Sequence, residues 1–520
     1  MQLPAPTNDD DTLQLRAATR SSEPSIIRSF GIRGLYGYRN ISLESEFAAT
    51  VLIARNGSGK TTLLGALDAF LQLQFSRLGT IEFDEIRCEI RGIDAPLVLL
   101  SSEIREITRF EPTSQIINLA QFGDTTPILA FDFVFSDYRQ KFRDVIETGE
   151  AGLAYNIMSK FSFDVGRANK YCEDIYLDII QRSPNIFYIH KTIRSALNGY
   201  EIVYLPTYRR VELALKEDKK SRTRGRRSRS KFNISPAGLH TGDIQFGLLD
   251  ISERLENINQ ELISASNSGY REISGNIINE LINGYPVDEN APLPEEADLQ
   301  LFLSRLESVN RKFGPYGVTA PDFSRIYSGE GVTPESLKFL RYFLNKLLGV
   351  IELGKSLEKP VRDFVSGCNR YLASSEPSTQ IMGEVPHSRL SSFDGKALRM
   401  DPKDLSVDVE SLPALRPIPL DALSSGEKQM ISLFAKLYLY PNKKIVLIDE
   451  PELSLSIDWQ RGILLDVVLA PLCNQVIAIT HSPFIFDNAL EPFARSMKLQ
   501  IDREKQAKIF AVAAEESIGE

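Results

Sequence analysis

The segment Thr50-Val51-Leu52-Ile53-Ala54-Arg55-Asn56-Gly57-Ser58-Gly59-Lys60-Thr61-Thr62 constrains the fold of this chain more than any other stretch. A β-branched apolar run leads into a glycine-rich turn, and Leu63, Leu64, Ala66, Leu67 and Phe70 then recur at helical spacing. In the order strand, glycine loop, helix, successive backbone N–H groups can turn inward around an anion while the new helix points its positive end at the same charge. Asn56, Gly57, Ser58, Gly59, Lys60, Thr61 and Thr62 are therefore predicted to cradle nucleotide phosphates. Lys60 would reach the β and γ phosphates, and Thr61 would ligate Mg²⁺. Ala54 stands where this Walker A pattern usually has its first glycine, a position that an alanine with ordinary backbone angles can occupy.

Some 360 residues later, Leu423-Ser424-Ser425-Gly426-Glu427-Lys428-Gln429 heads a stretch of helical spacing through Met430, Leu433, Phe434 and Leu437. It is similar to the LSGGQ signature of ABC ATPases. Ser424 or Ser425, with Gly426 and Glu427, would offer hydroxyl and backbone donors to an anion at a helix N-terminus, although the same pattern also makes an ordinary helix cap. Lys444 to Ile448 form an apolar run of buried parallel-strand type that ends in Asp449-Glu450-Pro451. Two carboxylates at the C-terminal edge of a strand predict a Walker B site, with Asp449 serving Mg²⁺ and Glu450 orienting or deprotonating the attacking water. Gln475 to Thr480 form a further buried strand that ends in His481, a position that contacts the γ-phosphate in ABC ATPases. The expected fold is α/β, an ABC-type P-loop ATPase head with a large helical arm inserted between Walker A and signature. The resemblance to ABC ATPases implies a head-to-tail homodimer, with ATP held between Lys60 of one subunit and Ser425 of the other.

At 520 residues, two or three compact units are expected. No apolar run approaches the roughly 20 residues that span a bilayer, so no membrane partner is expected, and the absence of closely paired cysteines fits a reducing cytoplasm. Met1 to Ser25 read as a frayed polar tail rather than a signal peptide. Cys88, Cys172, Cys368 and Cys473 are widely spaced in apolar surroundings and read as core filler. The ATPase core is assigned to 26–210 and 376–520, with short strands at 81–90, 96–100, 128–135 and 202–205 and a helix near 166–182. A helical arm is assigned to 241–375, with Pro334 a helix start and Leu337, Leu340, Phe343, Leu347 and Ile351 one apolar stripe. Pro286, Pro292, Pro294, Pro315 and Pro321 exclude a long uninterrupted coiled coil.

Between core and arm, a flexible basic loop is expected at 211–240. Residues 219–231 carry eight Lys and Arg and no acid; against a net charge of −9 this leaves −17 on the rest of the chain. A solvated loop, a nucleic-acid backbone contact and an acidic protein partner all remain open for this run, and its lack of aromatics argues against base stacking.

Accessory stretches extend the resemblance. Leu205-Pro206-Thr207-Tyr208-Arg209-Arg210, Phe246-Gly247 to Asp250, Asn369 to Leu372, Asp449 to Ser456 and Thr480 to Ile485 look like bacterial ABC-type ATPases related to the OLD and SMC proteins, above all the PtuA ATPases of Septu and retron defence systems. OLD nucleases carry a Toprim domain after the ATPase, but only 39 residues follow His481, so no nuclease domain is expected. The resemblance implies an HNH endonuclease partner similar to PtuB and, in the retron setting, a reverse transcriptase and its DNA–RNA. A RecF- or SMC-like repair ATPase and a nucleotide-gated scaffold with little turnover are the alternatives.

Overall fold

A computed structural model describes residues 8–55, 57–110, 114–136, 138–148, 152–206, 248–283, 292–310, 327, 333–372, 395–412, 415–419, 422–453 and 455–508. Asn56, the basic run 219–231 with its loop 211–240, and the stretches Thr207–Arg210 and Phe246-Gly247 lie outside the described residues. The chain divides into two compact units, Met1–Gln245 with Pro441–Glu520, and Phe246–Tyr440.

The first unit holds two five-stranded sheets. One is antiparallel, in the order β13-β2-β1-β4-β5, formed by β1 (Ile27–Leu35), β2 (Arg39–Glu44), β4 (Glu85–Ile90), β5 (Leu97–Leu100) and β13 (Lys498–Ile501). The other is parallel, in the order β12-β3-β11-β10-β6, formed by β3 (Ala49–Ile53), β6 (Tyr200–Leu205), β10 (Lys443–Asp449), β11 (Cys473–Thr480) and β12 (Ala494–Ser496). The apolar runs at β10 and β11 are continuous because almost every one of their side chains is buried, as parallel strands require. The helix Lys60–Leu71 buries ten of its twelve residues in a core shared with Phe30, Ile32 and Ile86 of one sheet and Ile445, Leu447 and Ile477 of the other. Buried Gln475 ties the sheets together. Its Oε1 accepts from the amides of Ile26 and Ile27 at 2.9 and 2.8 Å, and its Nε2 donates to the Ile27 carbonyl at 2.9 Å.

Three expectations are corrected in this unit. Residues 8–21, read as part of a frayed tail, form a helix, Asn8–Ser21, with Ala17 fully buried. Arg20 anchors it by donating to the carbonyls of Leu469, Pro471 and Cys473 at 3.1, 3.1 and 2.7 Å, and the Gln14 side chain accepts from the Ala489 amide. Residues 128–135, read as a strand, lie in the helix Pro127–Phe135. Thr126 caps it, Pro127 starts it, and Phe131 stacks on Phe135 one turn later at 4.6 Å, a spacing that only a helix brings together. Finally, among the described residues seven helices rather than one lie between β5 and β6, from Ser101–Thr108 to Pro184–Ala196. All four cysteines are buried free thiols, and burial pushes Cys172 and Cys473 up to about 12.

In the second unit the helices Leu248–Asn283 and Pro334–Leu372 run antiparallel. A Cβ at Gly354 would meet Leu262, one at Gly269 would meet Val350, and Lys346 bonds Glu280 at 3.2 Å, so the pairing ascends one helix as it descends the other. Buried Arg305, from the helix Glu296–Asn310, donates to buried Glu358 at 2.6 Å. A three-stranded antiparallel sheet, β7 (Lys396–Met400), β8 (Val407–Ser411) and β9 (Arg416–Ile418), completes the unit with the helix Ser425–Tyr438. The signature region, assigned above to the ATPase core, therefore clusters with this second unit. The physical reason is the contact of Phe434 with Tyr371, ring centroids 5.5 Å apart, and the bare backbone at Gly367 against Phe434 and Tyr438.

Candidate active site

The parallel sheet brings β3, β11 and β10 side by side, so the residues following their C-terminal ends meet at one edge. β3 delivers the phosphate loop. Gly57 and Gly59 have φ of +74° and +92°, left-handed values that the inward turn of the loop requires and that side-chain-bearing residues resist. The helix Lys60–Leu71 begins without a side-chain cap, and the Ser58 hydroxyl is buried with no hydrogen-bond partner among the described residues. Uncapped first-turn amides and an orphaned buried hydroxyl are what a bound anion would satisfy. Thr61 and Thr62 occupy the first turn of the same helix.

Lys60, only 5% exposed, is the centre of the cluster. Its Nζ donates to Glu450 Oε1 at 2.9 Å and lies 2.6 Å from His481 Nε2 and 3.1 Å from Nδ1. His481 Nε2 is 2.8 Å from the same Glu450 oxygen, and its Nδ1 is 3.3 Å from the Ala54 carbonyl. Residues 390 and 421 positions from Lys60 in sequence thus meet it in one triangle of close polar contacts. Glu450 adopts φ +54°, rare for a residue with a side chain, while its amide donates to Ile479 O at 2.8 Å. Asp449, the preceding residue, is buried at the end of β10. Among the described residues no three His, Cys, Asp or Glu side chains form a metal cage. One buried carboxylate with a nearby-loop hydroxyl suits Mg²⁺, which keeps water and phosphate oxygens as its other ligands.

In the second unit Ser424 caps the helix Ser425–Tyr438. Its Oγ accepts from the Glu427 amide at 3.3 Å, and Glu427 Oε2 accepts from the Ser424 amide at 2.7 Å. Lys396 on β7 adds an ion pair to Glu427 at 2.8 Å. Burial alone would raise the Glu427 pKa; the bonds from Lys396 and Ser424 hold it below the usual carboxylate value. The Glu427 carboxylate, counted above among nucleotide-binding groups, is thus turned onto its own cap, with Ser425 and Gly426 at the helix start.

Two residues escaped the sequence reading. Arg39 Nη1 donates to the Gly57 carbonyl at 3.0 Å, bracing the loop from β2; nothing in the spacing links positions 39 and 57. Glu452 grips the end of β11, accepting from the His481 amide and from the Thr480 hydroxyl, each at 2.8 Å. Its only sequence signal is a third acid in Asp-Glu-Pro-Glu.

Residues 375–487 match the family model described as "AAA domain, putative AbiEii toxin, Type IV TA system", a P-loop ATPase family. The chain carries an α/β P-loop ATPase domain. The matched stretch includes Glu450 and His481 but not Lys60, so the phosphate loop joins this ATPase domain through the strand pairing of β3 with β11. No curated protein matches the chain. Among the described residues no helix is long and apolar enough to cross a membrane.

Proposed function

We propose that the chain is the ATP-hydrolysing, ABC-type ATPase subunit of a bacterial anti-phage defence system, similar to the PtuA ATPases, and that it regulates a separate nuclease. The observation that carries the ATPase reading is the triangle of Lys60, Glu450 and His481 at one sheet edge. Bound Mg²⁺-ATP would supply the γ-phosphoryl group to be transferred to water, giving phosphate with ADP as the leaving group. Toward it, Lys60 and the loop amides of Gly57 to Thr62 would neutralise phosphate charge, and Thr61 with Asp449 would hold the metal. Glu450 accepts a proton from the attacking water, and His481 orients the same water and the γ-phosphate oxygens. Ser424, Ser425 and Gly426 offer the hydroxyl and amide donors of a helix start to the nucleotide of a second copy of the chain, in a head-to-tail dimer.

The defence setting rests on the accessory stretches that resemble PtuA ATPases. The partner on this reading is an HNH endonuclease similar to PtuB, joined in a retron by a reverse transcriptase and its DNA–RNA. The test is phage plating on cells that carry the chain with its neighbouring genes. Protection is expected from the wild type and none from Lys60→Ala. Equal plating on both, with DNA-damage sensitivity after deletion, would favour the repair ATPase instead.

The basic run 219–231 is proposed to hold nucleic-acid backbone. Replacing Arg222, Arg224, Arg226, Arg227 and Arg229 with serine should leave basal ATPase activity intact and make the log–log salt dependence of DNA binding shallower by up to about 4. Coincident salt curves for variant and wild type would return the run to a solvated loop.

A further inference from the structure

The acid two positions after Glu450 enters none of the chemistry described so far, yet it is wired to the site more firmly than an exposed turn carboxylate needs to be. Glu452 spends both oxygens on the end of β11: Oε1 on the His481 N–H and Oε2 on the Thr480 hydroxyl, each at 2.8 Å. Thr480 is fully buried, and its Oγ1 also accepts from the Ser482 amide at 2.9 Å. Gln460 closes the web, its Nε2 donating to the Glu452 carbonyl at 3.4 Å while its Oε1 accepts from the Ser482 hydroxyl at 2.7 Å. The His481 side chain is about one-third exposed, and its imidazole meets Lys60, Glu450 and the Ala54 carbonyl at the distances given above. Those contacts require the main chain at residue 481 to be in place, and a carboxylate holds that main chain.

We propose that Glu452 is the positioning residue for His481. By clamping the main chain at residues 480 and 481 it keeps the imidazole within hydrogen-bonding distance of both Lys60 and Glu450. The alternatives within reach of the same web do not fit. Glu452 has both oxygens occupied by donors of β11, a role different from that of the general base or of a partner to the loop lysine. The proposal rests on the ATPase reading for its kinetic consequence, but not for its geometry.

The clamp predicts an unusual order among variants. Glutamine can reproduce it: the amide oxygen accepts the His481 N–H, and the amide N–H₂ donates to Thr480 Oγ1, whose own proton turns to the Ser482 carbonyl already 3.4 Å away. Alanine cannot. Glu452→Ala should lower kcat about a hundredfold, the effect expected of a misplacement near 1 Å, with KM for ATP little changed. Glu452→Gln should stay near wild type. If Glu452 acts through His481, the double variant Glu452→Ala/His481→Ala should be no slower than His481→Ala alone.

A spectroscopic arm needs no turnover. The chain has four histidines, so with isotope-labelled histidine the imidazole resonance that His481→Ala removes can be assigned directly. It should move in Glu452→Ala and remain in place in Glu452→Gln. Should Glu452→Ala not fold, Glu452→Asp, one methylene too short to reach both donors, replaces it in both arms. An unmoved resonance in the clamp-breaking variant, or a double variant slower than His481→Ala by the full factor of the single change, overturns the proposal. ATP binding without any wild-type turnover would instead overturn the hydrolysis reading, leaving the resonance to decide the role of Glu452.

Discussion

Lys60→Ala is expected to lower the affinity for Mg²⁺-ATP by at least about a hundredfold, since the charge-assisted hydrogen bonds of a buried ammonium are worth about 1.5–3 kcal/mol each. The structure adds a second reason. Lys60 donates to Glu450 and lies against His481, and Glu450 is only 18% exposed, so the variant leaves a carboxylate beside the triphosphate without its counter-charge. Loss of attraction and gain of repulsion act in the same direction. Titration calorimetry would measure the change, and Trp459, the single tryptophan of the chain, gives an independent fluorescence readout on the same ATPase unit. Because a buried side chain is removed, thermal melting of the variant must accompany the titration. Nucleotide affinity equal to wild type in a folded variant would take the phosphate loop out of the site.

The second large effect separates binding from turnover. In Glu450→Gln the amide oxygen can stay where Oε1 now accepts from Lys60 and meets His481, so the triangle survives. Glutamine, unlike the carboxylate, takes up no proton at neutral pH. Hydrolysis should fall by about 10²–10⁴ while ATP binding persists. The backbone at φ +54° is strained in both forms, so the comparison isolates the side-chain chemistry. With hydrolysis slowed, ATP should accumulate any head-to-tail dimer, which light scattering would detect as a doubling of mass that Lys60→Ala does not show. Wild-type turnover in Glu450→Gln would remove the general base from the mechanism; slow turnover with a persistent monomer would keep the base and discard the dimer.

The sequence carried the chemistry in its local patterns. Glycines at 57 and 59 were readable because only a left-handed turn lets the loop amides converge, and φ values of +74° and +92° occur there. The strands ending at Asp449 and Thr480 were readable because a parallel strand buried on both faces must be apolar throughout. The long helices Leu248–Asn283 and Pro334–Leu372 followed from spacing and a proline start. Patterning failed where a segment was apolar without a clear period: Ile128 to Phe135 looked like a strand because helix and strand burial are indistinguishable over eight residues, and the Thr126-Pro127 start was the signal that outweighed it. Composition failed at residues 8–21, where a polar, acidic stretch becomes helical through Arg20 and carbonyls some 450 positions away.

What the sequence by itself determined was which groups are available: a lysine after a glycine loop, paired acids after one strand, a histidine after another. Only the tertiary structure decided that they meet, since strand order is not written in any one strand. β11 inserts between β3 and β10 and thereby sets His481 against both the lysine and the carboxylate. The same insertion gives Glu452 a main chain to hold, and it turns a run of separate motifs into one hydrogen-bonded site, because hydrogen bonds act over about 3 Å and are indifferent to separation along the chain.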